Sequence, residues 1–137
     1  MNCYFINLDS AEQRKIDLIT NFSEFCMGEL SLSRFTAYDK NYVEQNHIPG
    51  KISSGEKACF LSHKRIIENN LSSSTPFIIF EDDACLGPST VALLNQHLSS
   101  LDENEWDILF TDLCVSNVAS MISLITLKRV LAEKNQS

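Results

Sequence analysis

Pro76-Phe77-Ile78-Ile79-Phe80-Glu81-Asp82-Asp83-Ala84-Cys85-Leu86 runs four bulky apolar residues straight into three carboxylates. A short, continuously apolar run of this kind predicts a buried parallel strand, and the acids then mark its carboxyl end. Open α/β sheets bind ligands outside the carboxyl ends of their strands, and adjacent acids there repel one another unless a cation screens them. Oxygen ligands favour Mg²⁺, Mn²⁺ or Ca²⁺, which bridge one or two carboxylates to the phosphates of a substrate. The structural alternative is an acidic turn that caps the following helix.

Upstream, Cys3 to Leu8 is almost continuously apolar and predicts a first strand ending at Asp9-Ser10, where Ser10 and Gln13 have the spacing of a capping box. Ile16, Ile19 and Phe22, with Leu18 beside them, predict an amphipathic helix that stops near Gly28. Arg34 to Tyr38 predicts a second short strand, and Asp39 to Ser54, with Asn41, Asn46, Pro49 and Gly50, predicts a long loop. Ser53 and Glu56 form another capping box, opening a helix from Gly55 to Asn70 with Phe60, His63, Ile67 and Leu71 as its apolar stripe. Downstream, Val91, Leu94, Leu98 and Leu101 mark a further helix. Trp106 to Asp112 predicts a strand, with Trp106 as a core anchor, and Asn117 to Lys134 a last helix. Strands alternating with helices predict an α/β fold, a mostly parallel sheet with helices on both faces.

The 137 residues, 44% of them hydrophobic, suffice for one domain with a real core, so the expectation is a single domain over 1–137. A formal net charge of −7 argues against nucleic acid as a partner, since no basic surface is available to displace its counterions. A phosphorylated small molecule remains compatible, because a bound cation reverses the local sign of the charge. The five cysteines, Cys3, Cys26, Cys59, Cys85 and Cys114, are widely spaced without a C-x-x-C pair and read as reduced core thiols. No export signal or spanning segment is visible, so the expected location is cytoplasmic, with at most peripheral association at the inner membrane.

Several of these segments, in this order, resemble glycosyltransferase family 25, which includes bacterial lipooligosaccharide galactosyltransferases and collagen galactosyltransferases. Phe5-Ile6-Asn7-Leu8-Asp9 followed by Arg14 resembles the family's opening strand and helix. Arg34-Phe35-Thr36-Ala37-Tyr38-Asp39 resembles its second strand. Gly55-Glu56-Lys57-Ala58-Cys59-Phe60-Leu61-Ser62-His63 resembles its glycine-led helix with a Ser-His pair. Glu81-Asp82-Asp83 resembles its acidic motif, and Trp106-Asp107-Ile108-Leu109 the strand after it. The resemblance spans roughly residues 3 to 112. It implies a glycosyltransferase A-type, Rossmann-like nucleotide-sugar-binding half, a UDP-sugar donor, and Mn²⁺ or Mg²⁺. Family members generally continue past this point, and Met121 to Ser137 does not resemble the segments that complete the acceptor site.

Transfer from a nucleoside diphosphate sugar builds negative charge on the departing diphosphate, which a metal at a strand end neutralises. By resemblance Asp83 is the first choice as metal ligand, with Asp82 and Glu81 either sharing the site, ligating through water or contacting the sugar. Asn7, Leu8 and Asp9 lie at the same rim if the sheet is parallel. Arg14 suits a diphosphate or, equally, pairs with a neighbouring acid. The resemblance raises His63 above an ordinary core histidine, and Glu56 sits at a helix start that suits phosphate as well as a cap. An inverting transfer, implied by the family, requires a general base, for which Asp112 is the candidate. The expected role is a hexosyltransferase, galactosyl or glucosyl, acting on a lipooligosaccharide-type acceptor in surface-glycan synthesis, with pairing into a homodimer as an option. Two alternatives are a nucleotide-sugar-binding module without turnover and a receiver-like Mg²⁺-binding signalling domain. The second fits poorly, because receivers carry their acids on the first strand.

Overall fold

The computed structural model describes residues 1–26, 28–73, 75–101, 107–111, 122–123 and 126. These fall into two compact units, Met1–Ser100 and Leu101–Ser137. The first contains β1 (Asn2–Asn7), α1 (Glu12–Phe25), β2 (Ser31–Thr36), α2 (Lys40–Gln45), α3 (Ser54–Asn70), β3 (Phe77–Glu81) and α4 (Thr90–Ser100). The strands form a wholly parallel sheet in the order β2-β1-β3. The α/β class expected from the sequence is therefore what the chain adopts.

Because β1 is central, Cys3, Phe5 and Ile6 are all buried, which is why the run reads as continuously apolar rather than alternating. The chain leaves β1 on one side to make β2 and returns past it to make β3, so the strand order reverses between β1 and β3. Right-handed crossovers then place the two connecting helices on opposite faces. Side-chain contacts agree. Cys3 clusters with Phe22 and Cys26 from α1 and with Leu86 and Val91, while Ile78, Phe80 and Leu32 pack against them. On the other face, the Tyr4 hydroxyl donates to Asn70 of α3 and its ring meets Phe77 edge-on.

Local signals explain most element ends. Ser53 and Glu56 form the expected capping box on α3. Gly28, at φ +96°, supplies the left-handed turn after α1. The Ser10–Gln13 box does not form: α1 begins after Ala11 without a side-chain cap, and Gln13 donates instead to Asp17. The predicted loop Asp39–Ser54 contains α2, nucleated by the Asp39 carboxylate accepting from the Tyr42 N–H at 2.7 Å and anchored by buried Val43. β2 begins and ends earlier than predicted, because Tyr38 turns its N–H to the Ser62 hydroxyl at 3.0 Å.

The face of α3 also differs from expectation. Ala58, Ser62 and Ile66, at i, i+4 and i+8, are buried, whereas Phe60 is 61% exposed and Ile67 and Leu71 are exposed too. Both sets obey helical spacing, and the smaller side chains let the helix lie close to the sheet. After β3, Asn21 of α1 grips the main chain of Leu86 twice, its Oδ1 accepting from the N–H at 2.7 Å and its Nδ2 donating to the carbonyl at 3.0 Å.

In the second unit, residues 107–111 carry no strand ladder, contrary to the predicted strand, and Ile108, Leu109 and Phe110 are exposed. Trp106 and Asp112, its predicted ends, lie outside the described residues. Residues 122, 123 and 126 are helical, with the Thr126 hydroxyl donating to the Ile122 carbonyl. Cys3 and Cys26 are buried thiols as expected; Cys59 and Cys85 are exposed, so half of the described cysteines are not core residues. Burial pushes the Cys3 thiol up to about 11. Among the described residues no helix is long and apolar enough to cross a membrane.

Candidate functional site at the β1–β3 rim

The carboxyl ends of β1 and β3 lie side by side, with Ile6 opposite Glu81 in the register. This is the reversal point of the strand order, where open α/β sheets form their ligand crevice. The acids do not act there as one cluster. Successive residues of a strand point to opposite faces, so Glu81 projects to the α3 side and Asp82 to the α1 side.

On the α1 side, Asn7 is 1% exposed and every polar atom of its side chain is used. Its Nδ2 donates to the Asp82 carboxylate at 2.7 Å and to the Ala11 carbonyl at 3.0 Å, and its Oδ1 accepts from Arg34 Nε at 2.9 Å. Arg34 Nη2 also donates to the Asn7 carbonyl and, at 2.6 Å, to Asp9. Asp82, whose side chain is 9% exposed, takes Arg14 Nη1 on its second oxygen at 3.0 Å. Asn7, Asp9, Arg14 and Asp82 are thus brought together, and Leu8 contributes the turn carbonyl that accepts from Ala11 N–H. Arg34 is the member that sequence reasoning missed. A charged side chain in the middle of β2 was the available signal.

On the α3 side, Cys59 and His63 stand one helical turn apart on the flank of the helix. The Cys59 thiol donates to Glu81 Oε1 at 3.7 Å, and His63 Nε2 lies 3.8 Å from the same oxygen. Burial, and then the neighbouring Glu81 carboxylate, push the Cys59 thiol above its ordinary value. His63 Nδ1 is 3.0 Å from the Cys59 carbonyl; since a carbonyl only accepts, Nδ1 carries the proton and Nε2 is left facing Glu81.

The remaining candidates separate from this rim. Asp83 follows the strand, exposed, and among the described residues makes no hydrogen bond or ion pair. Glu56 is held by the Ser53 hydroxyl and main-chain N–H, which keep its carboxyl below the usual range, and these bonds occupy it as a cap. Ser62, fully buried, donates to the Ala58 carbonyl and accepts from Tyr38 N–H, so this half of the Ser-His pair fastens α3 to the exit of β2. Asp112 lies outside the described residues. An apolar cavity of about 360 Å³ under α1 and β2 has Arg34 on its wall and none of the acids.

A model of glycosyltransferase family 25, described as an LPS biosynthesis protein family, matches residues 1–134. The chain is also similar to the lipooligosaccharide biosynthesis protein lic2B of Haemophilus influenzae, 33% identical over 110 residues that cover 75% of this chain. It spans 38% of that relative's length.

Proposed function

This chain belongs to glycosyltransferase family 25, and from that premise we propose that it binds a UDP-hexose donor, UDP-galactose or UDP-glucose, at the β1–β3 rim and serves hexosyl transfer to a lipooligosaccharide-type acceptor. The observation that supports the reading best is the convergence of Arg14, Arg34, Asn7 and Asp82 at the reversal point of the sheet. Two guanidinium groups held there by carboxylates offer a diphosphate planar donors already fixed in place. Arg14, half exposed, gives Asp82 one of its five N–H donors and keeps others for an oxyanion.

The family also implies a divalent cation, Mn²⁺ or Mg²⁺. The donor set fits it at one carboxylate rather than three: Asp83 is exposed and uncommitted among the described residues, while Asp82 is occupied by Asn7 and Arg14. Such cations need only one or two protein carboxylates when substrate phosphates supply the rest. When bound there, the cation neutralises charge on the departing diphosphate. Asp82 orients Arg14, and Arg34 holds the turn at Asp9, so the diphosphate meets guanidinium donors already fixed in place. For an inverting transfer the general base is placed at Asp112, on its sequence position alone. Association with the membrane, in this reading, is at most peripheral.

A second reading is a donor-binding module without turnover, which the same convergence of Arg14, Arg34, Asn7 and Asp82 serves equally well. Calorimetric titration of the chain with UDP, with and without Mn²⁺, tests the first part, and release of hexose from UDP-galactose and UDP-glucose tests the second. Mn²⁺-dependent UDP binding is expected. Its absence overturns both readings, and binding without hydrolysis or transfer selects the module.

A further inference from the structure

Cys59, His63 and Glu81 bring a sulfur, an imidazole nitrogen and a carboxylate oxygen within 4.8 Å of one another. Neither the donor site nor its cation uses the first two. We propose that these three side chains form a binding site for a borderline-soft divalent cation, Zn²⁺ above all, on the α3 side of the rim and separate from the cation held by Asp83.

The geometry supports this at three points. Zn²⁺ bonds of about 2.0 to 2.3 Å set the edges of its coordination tetrahedron at roughly 3.3 to 3.8 Å. The Cys59 sulfur lies 3.7 Å and His63 Nε2 3.8 Å from the same Glu81 oxygen, the sulfur meets the imidazole at 3.7 Å through Nδ1, and the three ligand atoms all fall within 4.8 Å of one another. The ligands also come from rigid elements: Cys59 and His63 are one turn apart on α3, and Glu81 is the last residue of β3. Finally, the Nδ1–H of the imidazole is anchored on the Cys59 carbonyl at 3.0 Å, which turns Nε2, the nitrogen that would bind the ion, toward Glu81.

Ligand chemistry decides which ion. A thiolate with an imidazole selects Zn²⁺ over Mg²⁺ or Ca²⁺, which require oxygen. Three protein ligands leave the fourth position of a tetrahedral ion to water or to a ligand that arrives at the rim. On binding, the Cys59 S–H bond is replaced by S–Zn and the proton passes to solvent, with no change of oxidation state.

The test is titration of the full chain, thiols reduced, with Co²⁺ as the spectroscopic substitute for Zn²⁺. One equivalent should give tetrahedral d–d absorption with a thiolate-to-cobalt charge-transfer band, and Zn²⁺ should displace it. Cys59→Ser should abolish the band, Glu81→Gln should weaken binding by at least about tenfold, and Cys85→Ser should leave both unchanged. Cys59 and Glu81 are exposed, so circular dichroism of the metal-free variants should superpose on that of the parent. A readout free of mutation is alkylation of the parent chain followed by mass spectrometry, where one equivalent of Zn²⁺ should protect Cys59 and not Cys85. The proposal is overturned if the parent shows no charge-transfer band, if the band survives Cys59→Ser or is lost in Cys85→Ser, or if Zn²⁺ leaves alkylation of Cys59 unchanged.

Discussion

On the α1 face of the rim, Asp82 is nearly buried between Asn7 and Arg14; on the α3 face, one residue earlier, Glu81 is 58% exposed beside Cys59 and His63. The two carboxylates are adjacent in sequence and have unlike work. Asp82 satisfies a buried amide and a guanidinium, so it holds β1, α1 and β3 together. Glu81 closes no buried network and stands near groups that become good ligands once deprotonated. The difference shows that an acidic run at a strand end is not one site but two half-sites, divided by the alternation of the strand itself. Asp83, beyond the last strand residue, is assigned by neither face and is the carboxylate left for the cation proposed above.

The largest expected effect tests that last assignment. Asp83→Ala should reduce any UDP-hexose turnover by about 10² to 10³ through loss of charge stabilisation, with an unchanged urea midpoint; a turnover equal to the parent's would remove Asp83 from the chemistry. Next comes the contrast between faces. Asp82→Ala should cost about 2 kcal/mol in urea denaturation by stripping a charged hydrogen bond from buried Asn7, the exposed Arg14 adding little. Glu81→Gln should change stability by less than about 0.5 kcal/mol, as surface substitutions do. Equal losses at the two positions would erase the distinction drawn between them. Asn21→Ala, which frees the Leu86 main chain on the α1 face, should cost about 1 to 2 kcal/mol by the same measurement.

The last effect appears only in alkali. The folded chain holds the Cys3 proton up to about 11, against 9.0 for an ordinary thiol, so the folded state binds that proton more tightly than the unfolded one. Its stabilising contribution is complete below pH 9 and is lost as pH rises from 9 to 11. Thermal melts across that window should fall, and fall less in Cys3→Ala. A flat profile for the parent would show that the thiol is not shielded on the α1 face.

Where information is local, the sequence was sufficient. The β1 run, the Ser53–Glu56 box, the Gly28 stop and the acids at the end of β3 are each decided within a few residues, and the resemblance to family 25 located the rim. What needed three dimensions was choice among equivalent local patterns. α3 carries two helical stripes, and only contact with the sheet decides that Ala58, Ser62 and Ile66 face inward. α2 was hidden because the Asn, Pro and Gly content of its surroundings outweighed a single Asp39 cap. Arg34 and Cys59 were passed over because their meaning depends on partners at Asn7 and Glu81, more than twenty residues away in each case. The i, i+4 spacing of Cys59 and His63 was the one visible hint.

Asn21 holds the segment after the acids by main-chain atoms alone. Such a grip is blind to the identity of the residues it fixes, apart from Leu86, whose side chain enters the core. Positions 84, 85, 87 and 88 can therefore drift while the path of the chain persists, so this stretch beside the acids can be rewritten without refolding the molecule.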